Sequence, residues 1–162
     1  VFSVGAESFS SLTRITNATG ALANALRGQG RLDGVIRGAR VFEAEAKRRV
    51  PRSTDASAGH EHLADTIGVR LLEHDASVTR ASVGTDAPRG VWLEYGTKPH
   101  DIVARAKKAL WWPGASHALT RVHHPGTSAK PWLGPTLAAK GSEVRDVIAQ
   151  TILDTARVTG GA

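Results

Sequence analysis

Cysteine and methionine are both absent from these 162 residues, and aromatics make up only 5% of them. Without cysteine there is no disulfide framework, no thiolate metal site and no thiol nucleophile. Without methionine, Val1 does not read as a translation start, so an initiator was removed or residues precede it. No apolar run approaches the roughly 20 residues of a membrane span, and no stretch is laid out as a signal peptide, so no membrane partner is expected. Charge of one sign is not dominant either. Lys plus Arg number 21 against 15 Asp plus Glu, and the resulting +6 suits passing contact with nucleic acid. The length fits one domain, 1–162, with room for a real core.

The scarce aromatics are not spread evenly. Trp92, Trp111, Trp112, Trp132 and the single tyrosine, Tyr95, all fall within 91–137. So do Pro99, Pro113, Pro125, Pro131 and Pro135, five of the seven prolines. Aromatics concentrate contact area, and prolines stop regular structure from running through. Together they specify a shaped, loop-rich surface.

Residues 1–30 read as a helical arm with little apolar surface, Leu12, Ile15, Leu22 and Leu26, stopped by Gly28 and Gly30. So thin a stripe predicts loose attachment or completion by a neighbouring subunit. Residues 31–50 carry a fuller one: Leu32, Val35, Ile36, Ala39, Phe42, Ala46 and Val50 recur at helical steps, while Arg37, Arg40, Glu43, Lys47 and Arg48 occupy mostly the other faces. Pro51 ends this central helix. After a polar loop over 52–62, 67–74 and 77–84 alternate as two strands of a hairpin turning at Asp75-Ala76. A helical turn over 91–95 is closed by Gly96. A strand from Ile102 and another near 119–123 predict a long protruding hairpin inside an extended basic segment, 98–130. The last helix is expected over 142–158, capped by Ser142, with Val144, Val147, Ile148, Thr151, Ile152 and Thr155 on one face. The expected class is α+β: an antiparallel sheet with a long protruding hairpin, packed against a central and a C-terminal helix, plus a loosely attached N-terminal helix.

Reactive chemistry is thin. His60-Glu61-His62 and His123-His124 could ligate zinc or nickel, but neither pair has the four-residue helical spacing of a hydrolase, nor a carboxylate cluster beside it. No metal and no cofactor is expected. Glu94, set between aromatics, must find partners if buried. Backbone amides of the following loop, or Lys98 or Arg105, would serve and so fix 96–99. No nucleophile or second acid stands at a recognisable spacing, so catalysis is not expected. Gly96 allows a turn where a side chain would not. Lys98, Arg105, Lys107, Lys108, Arg121 and Lys130 face one acid, Asp101, across 98–130. Interleaved with Trp111 and Trp112, they read either as a nucleic-acid surface or as a basic hairpin whose tryptophans anchor on a neighbouring subunit. Pro131 and Pro135 stiffen the approach to the last helix, while Trp132 and Leu133 cap the core.

The run Trp92-Leu93-Glu94-Tyr95-Gly96-Thr97 resembles the aromatic, aliphatic, Glu, aromatic, Gly, Thr signature of the head–tail joining (tail-completion, or minor neck) proteins of long-tailed bacteriophages. Three further blocks follow in order: Lys107-Lys108-Ala109-Leu110-Trp111-Trp112-Pro113-Gly114, Val122-His123-His124-Pro125-Gly126-Thr127, and Lys130-Pro131-Trp132-Leu133-Gly134-Pro135-Thr136-Leu137. Their order and spacing are similar to the actinobacterial-phage branch. The chain departs from the family's compact Pro-x-x-Thr-Gly-x-Leu run, keeping Pro51, Leu63 and Asp65-Thr66-Ile67 around a longer polar loop.

The resemblance implies a virion protein without catalysis, assembled in the host bacterial cytoplasm and located at the head–tail junction. It would be a ring subunit, most simply of a hexamer, meeting neighbouring neck, portal-adaptor and tail-tube proteins and touching phage DNA transiently. Trp92, Glu94, Tyr95, Gly96, Thr97, Trp111, Trp112, Pro113, Pro131, Trp132 and Leu133 would then be interface or structural residues, with Lys98, Arg105, Lys107, Lys108 and Arg121 facing DNA. A tail-terminator or head-closure stopper ring is the near alternative. A small basic DNA- or RNA-binding module and a His-based metallohydrolase are the alternatives of other classes.

Overall fold

The computed structural model describes residues 6–51, 62–105, 108–112 and 114–160. Among the described residues nine elements follow one another: α1 (Ala6–Arg27), α2 (Gln29–Arg49), α3 (Leu63–Thr66), β1 (Gly68–His74), β2 (Thr79–Gly84), α4 (Pro88–Tyr95), β3 (His100–Val103), β4 (Arg121–His124) and α5 (Leu133–Gly160). The mix is α+β, as expected. The polar loop expected over 52–62 lies, except for His62, outside the described residues.

Two helix boundaries differ from the expectation. Gly28 alone separates α1 from α2, and Gly30 sits inside α2. The Gly28 carbonyl accepts the amides of Arg31 at 3.1 Å and Leu32 at 3.3 Å, so helix restarts at once. The last helix starts at Leu133, and Ser142 lies exposed within it rather than capping it. Pro135 falls in the first turn, where a missing N–H costs no helical bond. The cap comes from another element, described below.

Packing along α2 also departs from its apolar stripe. The buried line is Gly30, Gly34 and Gly38, one residue every fourth position. A Cβ on Gly34 would come within 3.0 Å of the Ile148 carbonyl oxygen, and one on Gly38 within 3.0 Å of Ile148 Cγ1. The backbones of α2 and α5 therefore nearly touch, which leaves Val35, Ala39 and Phe42 beside the contact and only half-buried. Ala21 and Ala25 of α1 are buried too, and α1 packs against the same α5. Glu43, expected on the solvent side, is buried with Glu45. Arg40 and Lys47 each reach Glu43 at 2.8 Å, and Arg48 and Arg49 each reach Glu45 at 2.6 Å. The hydrogen bond from Arg48 is the largest cause holding the Glu45 carboxyl at about 2.

The apolar core gathers at the far end of α2, from Ala46, Val50, Leu63, Ala64, Ile67 and Trp132, with Phe42, Val83, Leu93 and Leu133 packed on it. Among the described residues the strands form two separate two-stranded antiparallel sheets. β1–β2 lies on α2, where Arg31 Nε donates to Thr79 Oγ1 at 2.9 Å and the guanidinium also reaches the Asp75 carbonyl. Asp75 holds the turn by accepting the amides of Ser77 at 2.6 Å and Val78 at 2.8 Å. β3–β4 stands apart as the expected hairpin, with His100 opposite His124 and Val103 opposite Arg121. The division follows from burial: β1–β2 has α2 to lie on, whereas β3 is exposed along its whole length.

Candidate docking surface

Glu94 is the last residue but one of α4 and points at the start of α5. Its Oε2 accepts the backbone amides of Trp132 at 2.7 Å and Leu133 at 2.8 Å, and its Oε1 accepts that of Gly134 at 3.0 Å. These are the orphan donors that every helix N-terminus must satisfy, and a carboxylate there also meets the positive end of the helix dipole. Burial by itself would push the Glu94 carboxyl up, but the three amides together outweigh it and hold it below the usual range. The amide partners anticipated for Glu94 thus exist, but on α5 and not on the loop after Gly96. Around this clasp, Trp132 Nε1 donates to the Gly90 carbonyl at 3.2 Å, Thr136 Oγ1 to the Trp132 carbonyl at 2.6 Å, and Lys130 N to the Leu93 carbonyl at 2.8 Å.

From the clasp the chain runs out into an arm, residues 97–127. At its base Thr97 and Thr127 exchange backbone bonds of 2.9 and 3.1 Å. Gly96 and Gly126 flank that crossing at φ +73° and +87°, and a Cβ on Gly96 would lie 2.5 Å from the Thr127 carbonyl oxygen. Only glycine tolerates both the positive φ and the close approach. Further out come β3 and β4, then a bridge between Leu110 and Leu119. Beyond it Trp111 is 67% exposed and Trp112 44%, so neither ring belongs to the core. Trp92 and Tyr95, on the outer side of α4, are also exposed. Lys98, Arg105, Lys108, Arg121, Lys130 and Pro131 are exposed as well, while Lys107 and Pro113 lie outside the described residues. Asp101 engages His123 at 2.9 Å and Arg121 at 3.6 Å, contacts that keep its carboxyl below the usual range, the His123 bond first.

Residues 33–96 match a family model described as "Bacteriophage HK97-gp10, putative tail-component". Over that stretch the chain is similar to a phage tail-component family. No curated protein and no solved structure matches it. The match runs from early α2 to Gly96, so it covers α4 and Glu94 and stops where the arm begins.

The other expected site residues are divided by the fold. Trp132 is buried at 3% exposure and Leu133 packs beside it, so both hold the body together. His123 and His124, adjacent in sequence, turn to opposite faces of the arm: His123 to Asp101, and His124 to a stack on His100 with ring centroids 5.1 Å apart. No group of three potential ligands that could hold a metal occurs among the described residues; His60 and Glu61 are not among them. No helix among them is long and apolar enough to cross a membrane. Sequence reasoning passed over Gly126 and Thr127 as partners of Gly96 and Thr97, although a second glycine-threonine pair in the distant strand was a readable signal. It also passed over an apolar groove of about 490 Å³ beside the clasp, bordered by Val35, Phe42, Tyr95, Leu137 and Val144. Leu137, 62% exposed, lies before the helix start first expected.

Proposed function

We propose that this chain is a phage tail component, a ring-forming subunit of the neck that joins the DNA-filled head to the tail and lets DNA pass. The observation that carries the reading is the arm: a ribbon fixed at its base by Thr97 and Thr127 that holds Trp111 and Trp112 in solvent. Exposed tryptophans on a positioned scaffold are anchors for a partner surface. In a closed ring each arm meets a different surface of the next copy, a heterologous contact that closes when the rotation permits, most simply at six copies. The N-terminal helix would complete the same contacts. Portal-adaptor and tail-tube proteins would lie above and below. Lys98, Arg105, Lys108 and Arg121 are exposed on the arm, and sequence-blind positive charge there suits DNA sliding through a lumen. The work is done by interface burial, without turnover. Deleting the gene from its phage tests the reading: separate heads and tails are expected. Particles that remain joined and infect normally would rule it out, and an image of the junction would show whether the density there is this chain.

A further inference from the structure

Resting on that ring reading, we propose that the apolar groove between β2 and α5 receives Trp111 and Trp112 from the arm of a second copy of this chain. The groove follows from the glycine contact. Gly34 and Gly38 draw α2 and α5 together, so Val35 and Phe42 are set to one side, and Val83 of β2 faces them. Leu137 and Val144 of α5 line it too, with Tyr95 at the rim. It measures about 490 Å³, a size suited to inserted side chains. Tyr95 is 78% exposed and Leu137 62%, so large apolar surface stands in water there. Among the described residues no cation lines the groove, and its one charge, the Glu94 carboxylate, is taken by the amides of α5. Nothing in it answers a phosphate, so the occupant is apolar.

The chain itself carries such an occupant. Trp111 and Trp112 are exposed, so they do not fill the groove of their own subunit. The arm behind them is bridged at both ends, by Leu110 with Leu119 and by Thr97 with Thr127. Leu119 and Thr127 are eight steps apart, about 26 Å of extended strand. Tyr95 lies two residues from Thr97, so the tryptophans stand nearly an arm's length from their own groove. The 21 residues of α2 span about 31 Å, and an arm almost as long as that helix brings its tip within reach of an adjoining subunit. There the indoles meet Tyr95, an aromatic pairing, and Lys108 beside them meets no like charge in the lining. Each copy offers one tip and one groove. A heterologous contact between copies uses both, one for one, and leaves neither uncovered when it closes.

A complementation experiment on the full chain tests the pairing. One variant, Trp111→Ala with Trp112→Ala, keeps the groove and loses the tip. The other, Leu137→Asp, keeps the tip and loses the groove. Sedimentation over a range of concentrations is expected to show the unaltered chain associating beyond the monomer. Each variant alone should associate about thirtyfold more weakly, the loss expected of an interface anchor. Mixed, the two should form a one-to-one dimer and stop there, because one intact tip and one intact groove remain between them. An unchanged Trp132 indole signal in NMR checks that each variant folds, and Tyr95→Ser on the same rim replaces Leu137→Asp if that signal moves. The proposal is overturned if the unaltered chain stays monomeric, which would leave the groove to another virion protein. It is equally overturned if either variant associates as the unaltered chain does, or if the mixture yields no dimer. Association is read on the isolated protein and the neck assignment on particles, so either can fail alone.

Discussion

The body and the arm keep their shapes by opposite means. In the body, Ile67 and Trp132 are 2% and 3% exposed, and α2 and α5 approach so closely that glycines line the contact. Burial fixes that geometry, and little large apolar surface on those residues is left over. In the arm every residue of β3 is exposed, and shape comes from the backbone: two glycines at positive φ and the Thr97–Thr127 bridge, with the Glu94 clasp at its foot. An isolated two-stranded ribbon is marginal in water. Fastening it at the base lets it present tryptophans that its own subunit does not cover. The contrast separates what folds this chain from what it offers to others, and substitutions can be ranked by which side they strike.

The heaviest blow to the body is Trp132→Ala. It deletes the largest core side chain and the bond to Gly90, and about 3–5 kcal/mol should be lost in a denaturant titration. A loss below about 1 kcal/mol would mean that the body is not held by burial at this point. Next is Glu94→Ala, which leaves three amides of α5 without their acceptor and should cost about 2–3 kcal/mol. Because Glu94 joins the two regions, hydrogen exchange should quicken both at the start of α5 and at the foot of the arm. If only the helix responds, the clasp does not support the arm.

Acid tests the same carboxylates. Glu94 and Glu45 have folded pKa values below their ordinary 4.5, Glu45 at about 2. Asp75 is held at about 2 against an ordinary 3.8, chiefly by hydrogen bonds from Ser77. A lowered folded pKa means that these contributions are complete above the ordinary values and are lost as pH falls through the folded ones. Denaturation midpoints should therefore be flat near neutrality and decline from about 4.5 down to about 2. Glu94→Ala should make that decline shallower, and an unchanged slope would contradict the assignment.

Gly126→Ala is a smaller, local injury. Its Cβ would overlap the Thr97 carbonyl at an unfavourable φ, a strain of about 1–3 kcal/mol. Faster exchange confined to the arm is expected, with α2 and α5 protected as before. The smallest effect on folding belongs to Trp111→Ala. With the ring 67% exposed, stability should move by no more than about 0.5 kcal/mol. The same change should nonetheless lower the yield of joined particles, and normal joining would remove Trp111 from the docking surface.

Local chemistry made much of this legible. The β1–β2 hairpin was readable because alternation and an Asp turn are written within a few residues, and Gly96 marked the end of α4 for the same reason. The start of α5 was not readable. Its cap is a carboxylate from α4, distant in sequence, and a search for a capping residue beside the helix settles on Ser142 instead. The α2–α5 contact was missed because small side chains, not large ones, mark where two backbones meet, while periodicity rewards Val35 and Phe42.

By itself the chain's order of residues determined the central helix, the β1–β2 hairpin and the turn at Gly96, and it gathered the aromatics and prolines between 91 and 137. Those properties follow from neighbours a few positions apart. Only the tertiary structure decided which of those aromatics face water and which acid caps α5. Each of these depends on groups tens of residues distant being brought within a few ångströms, and spacing along a chain does not specify that.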